Sequence, residues 1–295
     1  MEGIVCPNCK RSLAFNRDGY FCHNCQSKFE IKDGIPVFLP GFINKATLED
    51  IRAWDDKDSG RTEHLPSWRA ILSKESVIQD FIDSMHCVNF DGKVLEIGGG
   101  SCWASLVIKS NYPSTEVYAT DVSFSALLKA EELATMAGVD IDKYMTIDIQ
   151  STPFANDYFD VVFGNAILHH IPDFTKALTE IHRILKPNGI YFGMGEPMAT
   201  KLLQGMVEVL KVKNRRSDER QKYETQEATY TLSEWRSYFK AAGFGALDIS
   251  ICKNPRYRYH NKVDMLYYLA ISLLPDFIVS KLLGSSIHII AKKGG

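Results

Sequence analysis

Lys93-Val94-Leu95-Glu96-Ile97-Gly98-Gly99-Gly100-Ser101-Cys102-Trp103-Ala104 decides the fold of this 295-residue chain. Val94, Leu95 and Ile97 make a short apolar run of the kind buried in a parallel sheet. Three glycines follow, then a segment over 101–110 that can open a helix. A strand that passes through a glycine turn into a helix grips nucleotides. Glycine takes positive φ and lets a ligand approach the backbone, and the helix N-terminus offers free N–H groups to a carboxylate. Glu96, near the strand's end, can accept hydrogen bonds from an amine or a hydroxyl. No Lys-Ser/Thr pair follows the glycines, so the turn is not a P-loop.

The neighbouring segments continue the pattern. Thr115-Glu116-Val117-Tyr118-Ala119-Thr120-Asp121 reads as a second strand ending in an acid, about 25 residues beyond Glu96, near the spacing of a ribose-binding carboxylate. Two adjacent ribose hydroxyls offer two donors and a carboxylate offers two acceptor oxygens. The other reading of Asp121 is a helix cap. Ser123 can cap a helix that runs to Gly138, with Leu127, Ala130, Ala134 and Ala137 inward. Residues 143–148 form a third strand, again ending in an acid, and 159–163 a fourth. Asn165 ends the fourth, where open α/β sheets place ligands. His169 and His170 lie just beyond. Imidazole titrates near neutrality, so either can take a substrate proton; the alternative is that neither has a catalytic role. Phe174, Ala177, Leu178, Ile181, Ile184 and Leu185 make a helical stripe that Asn188-Gly189 is expected to end. Residues 190–194 form the fifth strand, and Glu196-Pro197 closes it. A helix from Leu232, a strand over 246–252 and a final antiparallel strand over 286–291 complete the plan.

Val94-Leu95-Glu96-Ile97-Gly98-Gly99-Gly100 resembles motif I of the class I S-adenosylmethionine-dependent methyltransferases, and Ala119-Thr120-Asp121-Val122-Ser123 their second motif. The stretches from Phe159 to His170 and from Glu180 to Gly189 resemble the later ones. The resemblance implies an α/β fold: a Rossmann-like, seven-stranded sheet with helices on both faces. It implies S-adenosyl-L-methionine held by Glu96, Gly98, Gly99, Gly100, Asp121, Val122, Asp148, Ile149 and Asn165. Asp148 would meet the adenine amine and Ile149 the ring. Asp160 resembles an acid that tethers structure. The family has glycine where Cys102 stands and often a smaller residue than Trp103. Leu168-His169-His170 is similar to the family's small-molecule branch, and no Asn-Pro-Pro-Tyr-type amine clamp occupies 165–168.

Upstream, Cys6-Pro7-Asn8-Cys9 and Cys22-His23-Asn24-Cys25 are two CxxC knuckles. Cys6, Cys9, Cys22 and Cys25 together offer the four tetrahedral sulfurs that zinc prefers; redox pairs or free thiols are the alternative, and His23 is read as a spacer. A hairpin over 12–21 lies between them. So small a module cannot bury enough apolar surface alone, so metal would supply much of its folding energy. Phe29 to Leu39 adds a strand, an Asp33-Gly34 turn and a strand. It resembles the zinc-ribbon-like leader of some methyltransferases, including rRNA guanine methyltransferases, which implies docking or recognition.

The domain plan is a zinc-ribbon-like β module over 1–40, a helical connector and lid over 41–92, and the methyltransferase domain over 93–295 with insertions at 198–230 and 253–284. Trp54, Trp68 and Arg69 either border the site or pack the lid, and 73–85 reads as a helix. Lys211, Lys213, Arg215, Arg216, Arg220 and Lys222 form a basic stretch, read as a solvated lid or an RNA contact. The apolar 263–283 stretch is interrupted by charge and proline, so it is no spanning helix; packing, an acceptor cap, a subunit contact or a place on a membrane surface are its readings. A net charge of −2 and a pI near 6.5 argue against a general nucleic-acid coat. Seven cysteines, spaced for metal, and an N-terminus without a signal pattern suit a reducing cytoplasm. The expected function is methyl transfer to a small-molecule acceptor, a natural product or sugar, at O or N. The rivals are rRNA or tRNA base methylation and a non-catalytic cofactor-binding or partner-docking protein. Oligomeric state is not fixed by the sequence.

Overall fold

The computed structural model describes residues 3–39, 75–201, 229–252, 269–283 and 285–295, with Leu48, Ile51 and Leu266 as single positions. Trp54, Trp68, Arg69, the basic stretch over 211–222 and part of the apolar 263–283 segment lie outside the described residues.

In chain order the elements are β1 (Ala14–Asn16), β2 (Gly19–Phe21), β3 (Lys28–Lys32), β4 (Ile35–Phe38), α1 (Glu75–Ser84), β5 (Lys93–Ile97), α2 (Trp103–Asn111), β6 (Glu116–Asp121), α3 (Phe124–Ala137), β7 (Lys143–Ile147), β8 (Phe159–Asn165), α4 (Phe174–Ile184), β9 (Leu185–Met198), α5 (Leu232–Ala241), β10 (Phe244–Cys252) and β11 (Ser285–Lys293). They form one sheet in the order β1-β2-β3-β4-β7-β6-β5-β8-β9-β11-β10. From β7 to β10 this is the expected seven-stranded sheet. Six strands share one direction, and β11 runs antiparallel between β9 and β10. The order turns back at β5, which lies between β6 and β8. Such a switch point opens a crevice at the carboxyl ends of the strands, where Gly98 begins its turn.

Side-chain alternation sorts the helices. Tyr191, Ile287, Ile289 and Ala291 pack with the α4 and α5 residues Ile181, Trp235 and Phe239. Phe192, Met194 and Ile290 point the other way, toward Phe81 of α1, Trp103 of α2 and Leu127 of α3. Ser123 caps α3 by accepting from Ala126 N–H, and Gly138 ends it at φ 66°. The end of α4 differs from expectation. It stops at Ile184, because Leu185 turns extended and pairs with Phe159. Residues 186–189 then bulge out before Val161 pairs with Ile190. Asn188-Gly189 therefore turns the chain within the strand and does not end the helix. Asp160 tethers this corner, accepting from Lys93 N–H at 2.8 Å and from Lys186 Nζ at 2.7 Å.

The N-terminal strands are continuous with the rest. β4 pairs in parallel with β7 through Val37–Thr146 and Phe38–Ile147. Tyr20, Phe29 and Phe38 share one apolar core with Tyr118, Met145, Ile147, Phe154 and Phe159. The module thus covers the row of backbone groups that β7 would otherwise present as an open edge. No described helix is long and apolar enough to cross a membrane.

Candidate functional site

The residues that the resemblance assigns to cofactor lie along the carboxyl ends of β5, β6, β7 and β8, which are neighbours in the order β7-β6-β5-β8. Gly98 and Gly100 both take φ 55°. A Cβ on Gly98 would come within 2.3 Å of Ile167 Cδ1, whereas one on Gly100 would project into open space. The turn is therefore closed on the protein side and open on the other, as a ligand-facing backbone requires. Cys102 takes the left-handed conformation, φ 48° and ψ 38°, at the position where the family has glycine. Its thiol is buried.

Both acids at the turn hold backbone. Asp121 accepts from Gly100 N–H and from Ser123 N–H, each at 2.8 Å, and so ties the glycine turn to the end of β6. It is not the cap of α3, which is Ser123. Each carboxylate oxygen has two lone pairs, so these bonds leave acceptor capacity. Glu96 is buried, and its Oε2 accepts from both the N–H and the hydroxyl of Ser105 in the first turn of α2. It seats the helix against the sheet. Ser105 is a partner that the sequence reading missed. At the end of β7, Asp148 accepts from Gln150 N–H at 2.8 Å, and Gln150 Oε1 accepts from Asp173 N–H at 3.1 Å. Val122, Ile149 and Asn165 are half-buried at the ends of their strands.

Beyond β8 the structure assembles something the sequence only bordered. Glu196, fully buried in β9, accepts through Oε1 from Ile167 N–H and Leu168 N–H, both at 2.9 Å. Its Oε2 accepts from His169 N–H at 3.3 Å and faces His169 Nδ1 at 2.9 Å. Four donors around one carboxylate fit the ionised, acceptor-only form. With Nδ1–H donated to Glu196, Nε2 keeps the lone pair. The His170 ring lies 4.0 Å from that of His169, centroid to centroid. The signal for Glu196 was present: an acid directly after the apolar run Tyr191-Phe192-Gly193-Met194-Gly195 needs partners if the strand carries it into the core.

The four knuckle cysteines converge. All four sulfurs lie within 4.8 Å of one another, with Cys6–Cys25 at 3.5 Å and Cys9–Cys22 at 3.4 Å. A tetrahedron with Zn–S of about 2.3 Å has edges of about 3.8 Å, so the sulfur set fits zinc. The first knuckle rests on the loop after β7. Val5 N–H donates to Pro153 O, Ser151 Oγ donates to Pro7 O, and Lys10 Nζ donates to Thr152 O, at 2.8, 2.7 and 3.0 Å. Lys10 also pairs with Glu180 at 2.8 Å, and Arg183 pairs with it at 2.9 Å. Burial works to raise the Glu180 pKa, but Arg183 and Lys10 outweigh it and hold the carboxyl down at about 2.

Residues 95–193 match the family model described as a methyltransferase domain. The ubiquinone/menaquinone biosynthesis C-methyltransferase UbiE of Desulfotalea psychrophila is 29% identical over 98 residues, 33% of this chain and 39% of that protein. The malonyl-[acyl-carrier protein] O-methyltransferase of Erwinia billingiae is 33% identical over 97 residues, 33% of this chain and 36% of that protein. The chain thus spans under two fifths of the length of these relatives. In fold, it is similar to the phosphoethanolamine N-methyltransferase 2 of Haemonchus contortus in complex with S-adenosyl-L-methionine. The TM-score is 0.53 at 15% identity, over 86% of this chain and 61% of that one.

Proposed function

We propose that this chain, which carries a class I methyltransferase domain, moves a methyl group from S-adenosyl-L-methionine to a small-molecule acceptor, with His169 taking the acceptor's proton. The observation that carries this reading is the buried Glu196 carboxylate fixing the His169 imidazole two residues beyond the glycine-packing Ile167. The sulfonium donor, when bound, supplies an already activated methyl group. The protein's contribution is alignment and proton removal. The open side of Gly100 and the N-terminus of α2 suit the methionine carboxylate. Asp121 keeps acceptor capacity for ribose hydroxyls, and Asp148 and Ile149 flank the place assigned to adenine. Asn165 lies where the two ligands would meet. His169 Nε2 accepts the proton as the acceptor's lone pair attacks the methyl carbon; the carbon–sulfur bond breaks and its electron pair stays on sulfur. Zinc in the four-cysteine cluster would have no open position, and so a structural role.

A small acceptor is favoured over RNA on two grounds. The relatives are named for quinone-pathway C-methylation and malonyl-carrier O-methylation. The first knuckle, moreover, is spent on the domain's own 151–155 loop. The test uses methyl-labelled donor with a small-molecule extract and, separately, total RNA. Label entering the small-molecule fraction, and a fall of about 10²-fold in turnover for His169→Gln with donor affinity unchanged, is the expected result. Label entering RNA would overturn the acceptor class. Donor binding in calorimetry with no label in either fraction would support the non-catalytic rival.

A further inference from the structure

At the far edge of the sheet a second group of metal-ligating side chains meets, away from both sites above. Along β10 and β11 the odd residues Leu247, Ile249, Ile251, Ile287, Ile289 and Ala291 pack toward α4 and α5. The even residues face α1. Ser250 pairs with His288 and Cys252 with Ser286, so Cys252 and His288 are diagonal neighbours on that face. α1 brings Asp80 over them, with Oδ2 at 3.8 Å from His288 Nε2. The three donor atoms all lie within 4.8 Å of one another. Nε2 of His288 is buried and makes no hydrogen bond. A polar nitrogen left this way is destabilising, in a layer where Phe81, Met194 and Ile290 show that apolar side chains fit.

We propose that Asp80, Cys252 and His288 form a second divalent-metal site, suited to Zn²⁺, that pins α1 to the β10–β11 hairpin. The donors are one thiolate, one imidazole and one carboxylate, all ordinary zinc ligands, and they leave a fourth tetrahedral position for water. The two anionic ligands balance the charge of the ion, so the site is neutral, as its low-dielectric surroundings demand. Zinc distances of about 2.0–2.1 Å to imidazole nitrogen and carboxylate oxygen place these two donors about 3.3–3.4 Å apart, so the 3.8 Å gap closes with a small side-chain rotation. The site is independent of the four cysteines. They are carried by the module at the β1 end of the sheet, and this trio sits at the β10 end.

The test is metal stoichiometry on the full-length protein, dialysed and titrated with Zn²⁺ or Co²⁺, with circular dichroism as the check on folding. Two equivalents are expected for the wild type. Cys252→Ser and His288→Asn each lose one, and Cys9→Ser loses the other. The Co²⁺ spectrum of the wild type should contain a component with a single thiolate charge-transfer band, distinct from that of a four-thiolate site; this reading needs no variant to fold. A wild-type protein that takes up only metal lost on Cys9→Ser, with no one-thiolate component, overturns the proposal. A single equivalent lost on Cys252→Ser and kept on Cys9→Ser supports it and sinks the cysteine-knuckle zinc instead.

Discussion

The glycine turn and the cysteine knuckles flank the same run of strands and are held in opposite ways. The turn is held by backbone N–H groups that bond to β6, the neighbouring strand of its own sheet. Gly100 N–H and Ser123 N–H meet one carboxylate of β6, and Gly99 N–H meets Thr120 O at 2.9 Å. The knuckles have little core of their own. They are held by a cluster of sulfurs, by the parallel pairing of β4 with β7, and by bonds to a loop some 145 residues on, such as Ser151 Oγ to Pro7 O. That loop begins at Asp148. The difference teaches that the loop after β7 is braced by the N-terminal module, while the turn at β5 is braced from the strand beside it.

The sharpest way to break this contrast is to remove the sulfur cluster. Cys9→Ser should abolish amide-exchange protection over residues 3–39, since structural zinc supplies about 10–16 kcal/mol to modules of this size. It should also loosen 148–155 and weaken S-adenosylhomocysteine binding at least about 10-fold, while the turn at 98–102 stays protected. Unchanged protection at 148–155 would show that the loop holds itself.

Next in size is Glu196→Gln. One amide oxygen replaces a carboxylate that faces four donors, and bonds to a charged acceptor are worth about 1.5–3 kcal/mol each. Urea unfolding should show a loss of about 3 kcal/mol, with the pH profile of turnover displaced as His169 loses its orientation. A stable variant with an unmoved profile would detach Glu196 from the reaction.

Acid should also undo the knuckle contact. Glu180 is held at about 2 against an ordinary 4.5, a depressed value. Its contribution is therefore complete above about pH 4.5 and lost as pH falls toward 2, amounting to about 2–3 kcal/mol. Wild type and Glu180→Gln should differ in urea midpoint at pH 6 and converge near pH 2; equal midpoints at both would remove this ion pair from the account. The smallest effect is expected at Cys102→Gly. Relief of the left-handed conformation, about 1–2 kcal/mol, offsets the loss of a buried thiol, and the melting free energy should move by no more than about 1 kcal/mol. A larger loss would give the thiol a role beyond packing.

Much of this was readable before any coordinate. The strand ends at Asp121 and Asn165, the Ser123 cap and the Gly138 stop, and the four-cysteine set all follow from patterns a few residues long. The end of α4 was misplaced because Leu185 is claimed by pairing with Phe159, and a cross-strand partner leaves no mark in helical periodicity. His169 was legible as a candidate base. Its orienting acid was not, because the two are 27 positions apart and meet only where β8 and β9 lie side by side.

By itself the sequence determined the strand–turn–helix at Gly98, the order of the acids along the parallel strands and the four-cysteine set of the two knuckles. Each of these depends on backbone geometry and donor chemistry within about one element's length. The tertiary structure decided what each buried acid holds. Glu96 holds Ser105, Glu196 holds His169, and Glu180 holds Lys10 from 170 residues away. A carboxylate buried in apolar surroundings must find donors, and which donors reach it is set by strand order and packing.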